Sequence, residues 1–366
     1  MVQQPSRNPK AKSTKSKSRT QEHIVHFDTV LAGAKRKFME KMSANVMDVG
    51  DVKSFEFLET IGSGAFGVVM VARNIYNKQL YALKLIEKKV TVLQSQVAHV
   101  KNEVKILSCT DFEFLIHMEF FFKDNVYLYI GMPFVNGGEM TTHLSRLKRF
   151  EEKLSRFYGA QVILALQYLH HMGIIYRDLK PENVCVNADG YIRICDFGFS
   201  KKIDDGRTYS FCGTPDYLAP EIILHIGYSF SVDFWTLGVF LYEMNAGYAP
   251  FTENAENAAV QYDKIVKGKF QCPSTFTREL TDLVNKLIVV DRTSRYGCLK
   301  NGYSDIKLHD WFDDIDWNGI HGKKVKPMLL PKIDSENMGA NFFQQSNLEL
   351  RKNSVDEYSY LFSDFN

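Results

Sequence analysis

The run Gly62-Ser-Gly64-Ala-Phe-Gly67 passes directly into Val68-Val69-Met70-Val71-Ala72, and this junction limits the fold more than any other feature of the 366 residues. Three glycines at G-x-G-x-x-G spacing suit a turn whose backbone N–H groups approach an anion closely. In a dinucleotide-binding βαβ unit the glycines open a helix. Here they open a β-branched strand, so the turn joins two antiparallel strands and a Rossmann sheet is excluded. The strand before the turn begins at Phe55-Glu56-Phe57-Leu58, and a third strand, Leu80 to Ile86, follows turn residues at Asn74 and Asn77-Lys78.

The remaining pattern divides the chain into a β-rich front and an α-rich back. Helical periodicity marks 91–107, and strands mark 113–135 around a Lys123-Asp124-Asn125 turn. Helices return over 139–172 and from 219 onward, where Val232 to Met244 is apolar nearly all round, as in a helix at the centre of a domain. Ile24, Phe27, Leu31, Ala34, Phe38 and Met42 predict one amphipathic helix over 22–45. Residues 1–20 carry Arg7, Lys10, Lys12, Lys15, Lys17 and Arg19 with no acid, so they are expected to form a disordered basic tail. The expected organisation is therefore the tail at 1–20, the helix and a linker at 21–54, a catalytic domain at 55–312 and a C-terminal tail at 313–366. A hinge near Pro133 to Gly138 separates a small lobe, 55–133, from a large one, 139–312, giving an α+β bilobal fold.

A net charge of +2 offers no field for nucleic acid. No apolar run is long enough to span a bilayer, and Met1-Val2 lacks the glycine of N-myristoylation, so neither membrane insertion nor a myristoyl anchor is expected. Six cysteines (109, 185, 195, 212, 272 and 298) show no CxxC pairing; they read as reduced thiols of the cytoplasm or nucleus.

The chemistry is concentrated in a few ordered segments. Tyr176-Arg177-Asp178-Leu179-Lys180-Pro181-Glu182-Asn183 matches H-R-D-L-x-x-x-N with tyrosine in the first place. Asp178 supplies a carboxylate that can take a hydroxyl proton. Lys180 can balance charge developing on a phosphate, and Asn183 offers a neutral oxygen to Mg²⁺. Asp196-Phe197-Gly198 follows a predicted strand, Tyr191 to Cys195, and adds a second hard oxygen ligand. Lys84, in Tyr81-Ala82-Leu83-Lys84, corresponds to V-A-I-K and suits the phosphates of ATP. Glu103 on the predicted helix is its candidate ion partner, with His99 one turn earlier on the same face. Ala219-Pro220-Glu221 closes the segment.

With these motifs in order, residues 55–312 resemble the AGC group of serine/threonine protein kinases, and within it the cyclic-AMP-dependent catalytic subunits. The similarity extends through Phe134-Val-Asn-Gly-Gly-Glu139, Phe211-Cys-Gly-Thr-Pro-Asp-Tyr-Leu-Ala-Pro-Glu and the terminal Phe362-Ser-Asp-Phe365, which in that family docks on the small lobe. The resemblance implies ATP and Mg²⁺ as cofactors and transfer of the γ-phosphate to serine or threonine. It implies a nucleotide loop from Ile61 to Val69, including Gly62, Gly64, Phe66 and Gly67. It places a gatekeeper at Met132 and adenine contacts at the Pro133 carbonyl and the Val135 N–H. Ser210 stands at the activation phosphosite, with Arg177, Lys201 and His99 to receive the phosphate. Glu139, Glu182, Glu243 and Asp216 match acids that grip arginines upstream of the acceptor, so the implied partners are protein substrates with basic residues there. Phe211, Pro215 and Leu218 would line the pocket for an apolar residue after it. Ser354, behind Arg351-Lys352, is a basophilic site of the kind such an enzyme modifies in itself.

Departures from that family are equally specific. Met42 replaces a packing tryptophan, Pro133 a hinge glutamate, and Asp216 a longer acid. Tyr209 and Ile226 replace a tryptophan and a lysine that meet the inhibitory cyclic-AMP-binding regulatory subunit, the further partner the resemblance implies. A scaffold without catalysis would lack Lys84, Asp178, Asn183 or Asp196, and all four are present. Lys180 and Gly213-Thr214-Pro215 match the serine/threonine branch rather than the tyrosine one.

Overall fold

The computed structural model describes residues 9–64, 67–203, 206–252, 257–333, 341–342, 350–351, 353 and 355–365, with backbone alone over 9–16. Phe66, Ser354 and the first eight residues of the basic tail lie outside the described residues. In chain order the elements are α1 (Pro9–Ser43), β1 (Phe55–Gly64), β2 (Gly67–Asn74), β3 (Leu80–Glu87), α2 (Lys88–Leu93), α3 (Val97–Cys109), β4 (Phe120–Lys123), β5 (Tyr127–Pro133) and α4 (Met140–Leu147). There follow α5 (Glu152–His171), β6 (Ile174–Ile175), β7 (Val184–Val186), β8 (Ile192–Ile194), β9 (Lys201–Lys202), α6 (Pro220–Ile223), α7 (Ser231–Ala246), α8 (Ala258–Lys267), α9 (Arg278–Leu287), α10 (Tyr303–Lys307) and α11 (Trp317–His321).

Two compact units emerge. One comprises Ala34–Lys148, Met172–Lys202 and Pro327–Asn366; the other comprises Met1–Gly33, Arg149–His171 and Ile203–Lys326. This partition differs from a cut at the hinge, because 172–202 groups with the sheet. Lys84, Glu103, Asp178, Lys180, Asn183 and Asp196 therefore all lie in the first unit.

That unit is built on a five-stranded antiparallel sheet of order β1-β2-β3-β5-β4. Its core is Met70, Ala72, Tyr81, Leu83, Leu85, Phe122, Tyr127 and Tyr129, the alternate residues that the two-residue strand period turns to one face. The C-terminal tail packs on the same unit: Phe362 and Phe365 are buried, and the Phe365 ring lies 4.8 Å from Phe121. Lys123 Nζ donates to the carbonyls of Phe362, at 3.2 Å, and Phe365. The docking expected of Phe362-Ser-Asp-Phe365 is thus present.

The helical unit centres on α7, buried on nearly all faces as its apolar sequence requires. Inside it, Arg295 and Glu221 form a fully buried ion pair at 2.7 Å. Arg295 also donates to the carbonyls of Ser231 and Val289 and stacks over Trp235, so four of its five N–H groups have partners. The acid that ends the Ala-Pro-Glu motif is therefore a structural anchor.

Two boundaries require correction. Residues 9–20, expected to be disordered, continue α1. Pro9 suits a first helical turn, the segment contains no glycine, and its far end is tied down by buried Thr20 and a Lys17–Asp310 ion pair of 2.8 Å. A charged stretch that cannot form a core can still extend a helix docked further along. The helix expected over 91–107 is two helices, α2 and α3, separated at Gln94–Gln96, where Ser95 takes a left-handed φ of 56°.

Candidate active site

β3 brings Lys84 to the centre of the sheet, opposite Val69 on β2 and Ile130 on β5. Lys84 Nζ lies 2.5 Å from Glu103 Oε1 and 3.2 Å from Asp196 Oδ1. Burial alone would push the ammonium down; the Asp196 and Glu103 carboxylates more than offset this and hold it above the ordinary lysine value. The Lys84 ammonium in turn holds the Asp196 carboxyl below its usual range. Both charges thus persist at neutral pH. Glu103 is buried, whereas the Asp196 side chain remains half exposed.

Helix α3 is fixed by four of its residues. Beyond the Glu103 pair, Lys101 binds Asp364 of the tail at 2.6 Å, and Asn102 Nδ2 donates to the Ser200 carbonyl at 2.7 Å. Lys105 Nζ donates to the carbonyls of Lys41, at 3.1 Å, and Ala44, capping the end of α1. His99, placed on the Glu103 face by periodicity, is exposed and bonded to Gln96.

The loop 176–183 forms a second cluster. Asn183 Nδ2 donates to Asp178 Oδ2 at 2.7 Å and to the Asp178 carbonyl at 2.8 Å. Lys180 Nζ lies 3.2 Å from the same Oδ2. Asp178 is buried and therefore fixed in orientation. Asn183 spends its amide nitrogen on Asp178, which leaves the amide oxygen as its coordinating end. Tyr176, in the place of the motif's histidine, is wholly buried, with its ring 5.6 Å from Phe197 and its hydroxyl donating to the Cys195 carbonyl. The tyrosine substitution is thus accommodated by packing. Arg177 and Asp196 take positive φ values of 73° and 50°, uncommon for residues with side chains.

A metal fits this donor set on its chemistry. Asp196 and Asn183 offer hard oxygens, and among the described residues no three acids, thiols or imidazoles cluster as a metal site by themselves. A divalent cation would need ligands beyond these side chains, as phosphate oxygens provide.

The glycines separate into two kinds. A Cβ on Gly67 would meet the Leu85 carbonyl oxygen at 1.9 Å, so β2–β3 pairing itself forbids a side chain there. At Gly62 and Gly64 the nearest atoms would be 3.8 Å and 3.9 Å away, ordinary contacts. The fold does not demand glycine at those two positions; close approach of a ligand would. Ile61, Met132 and Val135 are buried nearby in sequence to the loop and hinge, and Val69 is half-buried. Phe342, which sequence reasoning missed, is buried with its ring 5.9 Å from Phe134 at the hinge. An aromatic pair isolated in a polar tail was the available signal.

Among the proposed recognition acids, Glu139 is pushed up to about 7 by burial and by the neighbouring charge of Glu182, which is exposed. In the helical unit Glu243 accepts from the Tyr217 hydroxyl, and Asp216 accepts from Gln261. Leu218 is buried, whereas Phe211 and Pro215 are exposed and present apolar surface. Ser210 is exposed in that unit, while Arg177, Lys201 and His99 belong to the sheet unit.

The Protein kinase domain family model matches residues 55–312. The chain belongs to the protein kinase family. It is 39% identical over 340 residues to cAMP-dependent protein kinase catalytic subunit 2 of Drosophila melanogaster, covering 93% of this chain and 96% of that one. It is 40% identical over 294 residues to the human cAMP-dependent protein kinase catalytic subunit PRKX, covering 80% and 81%. A Dictyostelium discoideum cAMP-dependent protein kinase catalytic subunit is 40% identical over 319 residues, but this chain spans only 49% of its length. These relatives identify the kinase as a serine/threonine enzyme of the bilobal protein kinase fold, using ATP and a divalent metal.

Gly67→Ala should destabilise the kinase by about 1–3 kcal/mol, because backbone must move. Gly64→Ala should leave the melting temperature within ~1 °C of the parent and weaken ATP binding about tenfold, ~1.4 kcal/mol. Equal melting losses in the two variants would show that the loop glycines serve the fold alone.

Proposed function

We propose that this kinase phosphorylates serine or threonine in proteins that carry arginine upstream of the acceptor, using ATP with Mg²⁺. The single observation that supports catalysis best is the Asp178 cluster: a buried carboxylate oriented by Asn183 and Lys180. Asp178 accepts the proton of the substrate hydroxyl as its oxygen attacks the γ-phosphorus and the bond to the bridging oxygen of ADP breaks. Lys180 offsets negative charge on the phosphoryl oxygens, and Lys84, kept charged, holds the phosphates of ATP. Mg²⁺ held by Asp196 and Asn183 would neutralise phosphate charge and orient the triphosphate. Asp178→Ala should lower turnover of a basic peptide by about a thousandfold while ATP still binds; retained turnover would remove Asp178 from this role.

Arginine preference is supported by the mutual repulsion of Glu139 and Glu182, which a guanidinium would relieve. Because Glu139 loses its charge as pH falls through about 7, the site grips arginine above that pH and releases it below. The kcat/KM for an arginine-containing peptide should rise about tenfold from pH 6 to pH 8, ~1.4 kcal/mol, and Glu139→Gln should flatten that rise. A steep profile in Glu139→Gln would assign the titration elsewhere.

Phosphorylation of Ser210 is proposed to activate the kinase. The hydroxyl is exposed, and its backbone is braced by the Tyr228 hydroxyl, which donates to the Ser210 carbonyl at 2.7 Å. The relatives are named for dependence on cyclic AMP, whereas exposed Tyr209 and Ile226 replace the residues by which that family meets an inhibitory regulatory subunit. Residence in the cytoplasm, and also in the nucleus, accords with six free thiols.

A further inference from the structure

Two of the six free thiols share one face of the β7–β8 ribbon. Val184 pairs with Ile194 and Cys185 with Arg193, so Cys185 and Cys195 are diagonal neighbours on the same side of the pleat. Cys195 Sγ donates to the Arg193 carbonyl at 3.5 Å, and Arg193 is the cross-strand partner of Cys185. Cys185 is buried, and Cys195 is partly open. Phosphoryl transfer uses neither sulfur.

We propose that Cys185 and Cys195 are a modification site for hydroperoxides, closing to a disulfide that ties the strand after Asn183 to the strand before Asp196 and slows transfer. The more accessible Cys195 sulfur attacks one peroxide oxygen. The O–O bond breaks, the alcohol or water leaves with the thiol proton, and Cys195 becomes a sulfenic acid. The Cys185 sulfur then attacks that sulfur; the S–S bond forms, the S–O bond breaks, and hydroxide leaves with the Cys185 proton as water. Two thiols are oxidised by two electrons and one peroxide is reduced. A disulfide draws the sulfurs to about 2.05 Å, which diagonal neighbours on one face of a twisted ribbon reach by side-chain rotation with a small backbone shift.

The link reaches transfer through the backbone. The Cys195 N–H donates to the Asn183 carbonyl at 2.7 Å, and its own carbonyl accepts from Tyr176. The next residue is Asp196, at its left-handed φ of 50°. Fixing the Cys195 side chain against Cys185 therefore constrains the two turns that present the oxygen ligands. The expected loss of turnover rests on the function proposed above; the chemistry of the thiols does not.

The test treats the full chain with hydrogen peroxide, blocks remaining thiols with N-ethylmaleimide, and maps peptides by mass. The expected result is a two-hydrogen loss joining the Cys185 and Cys195 peptides, with turnover down about tenfold and restored by dithiothreitol. Cys185→Ala and Cys195→Ala should each keep the untreated turnover within about twofold and resist peroxide. Both thiols alkylated after peroxide would overturn the proposal, as would a disulfide that leaves turnover unchanged. Loss of turnover under peroxide in both variants to the same extent as in the unsubstituted chain would do so as well, assigning the effect to another thiol. A chain without transfer activity before treatment would sink the proposed function, while the mass map would still decide whether the dithiol closes.

Discussion

The sheet unit is fastened around one interaction, a Lys84 ammonium kept charged between two carboxylates. A buried cation is expensive, and two carboxylates, one nearly buried and one half exposed, hold it. Glu103 cannot be removed cheaply: stripping the buried partner from such a pair typically costs about 3–5 kcal/mol, because the remaining charge is stranded. Glu103 holds the lysine from within, and Asp196 meets it from the half-exposed side. Lys84 is therefore a structural fastening, and under the proposed function the same ammonium would receive phosphate charge.

The fastening is only as firm as helix α3, which carries Glu103. Lys101, Asn102 and Lys105 bind the C-terminal tail, the start of the activation segment and the end of α1. Three chain segments far apart in sequence thus converge on the helix within five residues of one another. The position of Glu103 is therefore set by long-range contacts with the end of α1 and with the C-terminal tail. Lys123 completes this by drawing the Phe362 and Phe365 carbonyls onto the sheet.

Much of this was legible in the sequence because the reactive groups lie in short segments whose spacing follows from local geometry. Asp178, Lys180 and Asn183 reach one another across a single loop, and the strand after Gly67 decided the sheet class. What the sequence did not reveal depends on distant partners. Glu221 reads as a motif residue, but its role as an anchor needs Arg295, 74 positions away. Phe342 matters only because the tail returns to the hinge. Residues 9–20 are polar enough to read as disordered, and they are helical because the rest of α1 is docked. The break at Ser95 was hidden for the opposite reason: periodicity runs through it, while one left-handed residue ends the helix.

The most direct test is a crystal structure of the kinase with Mg²⁺ and a non-hydrolysable ATP analogue. The account predicts Lys84 Nζ on the α- and β-phosphates, metal coordinated by Asp196 and Asn183 oxygens, and the γ-phosphate facing Asp178. A triphosphate bound away from Lys84, or metal held without Asp196, would contradict it.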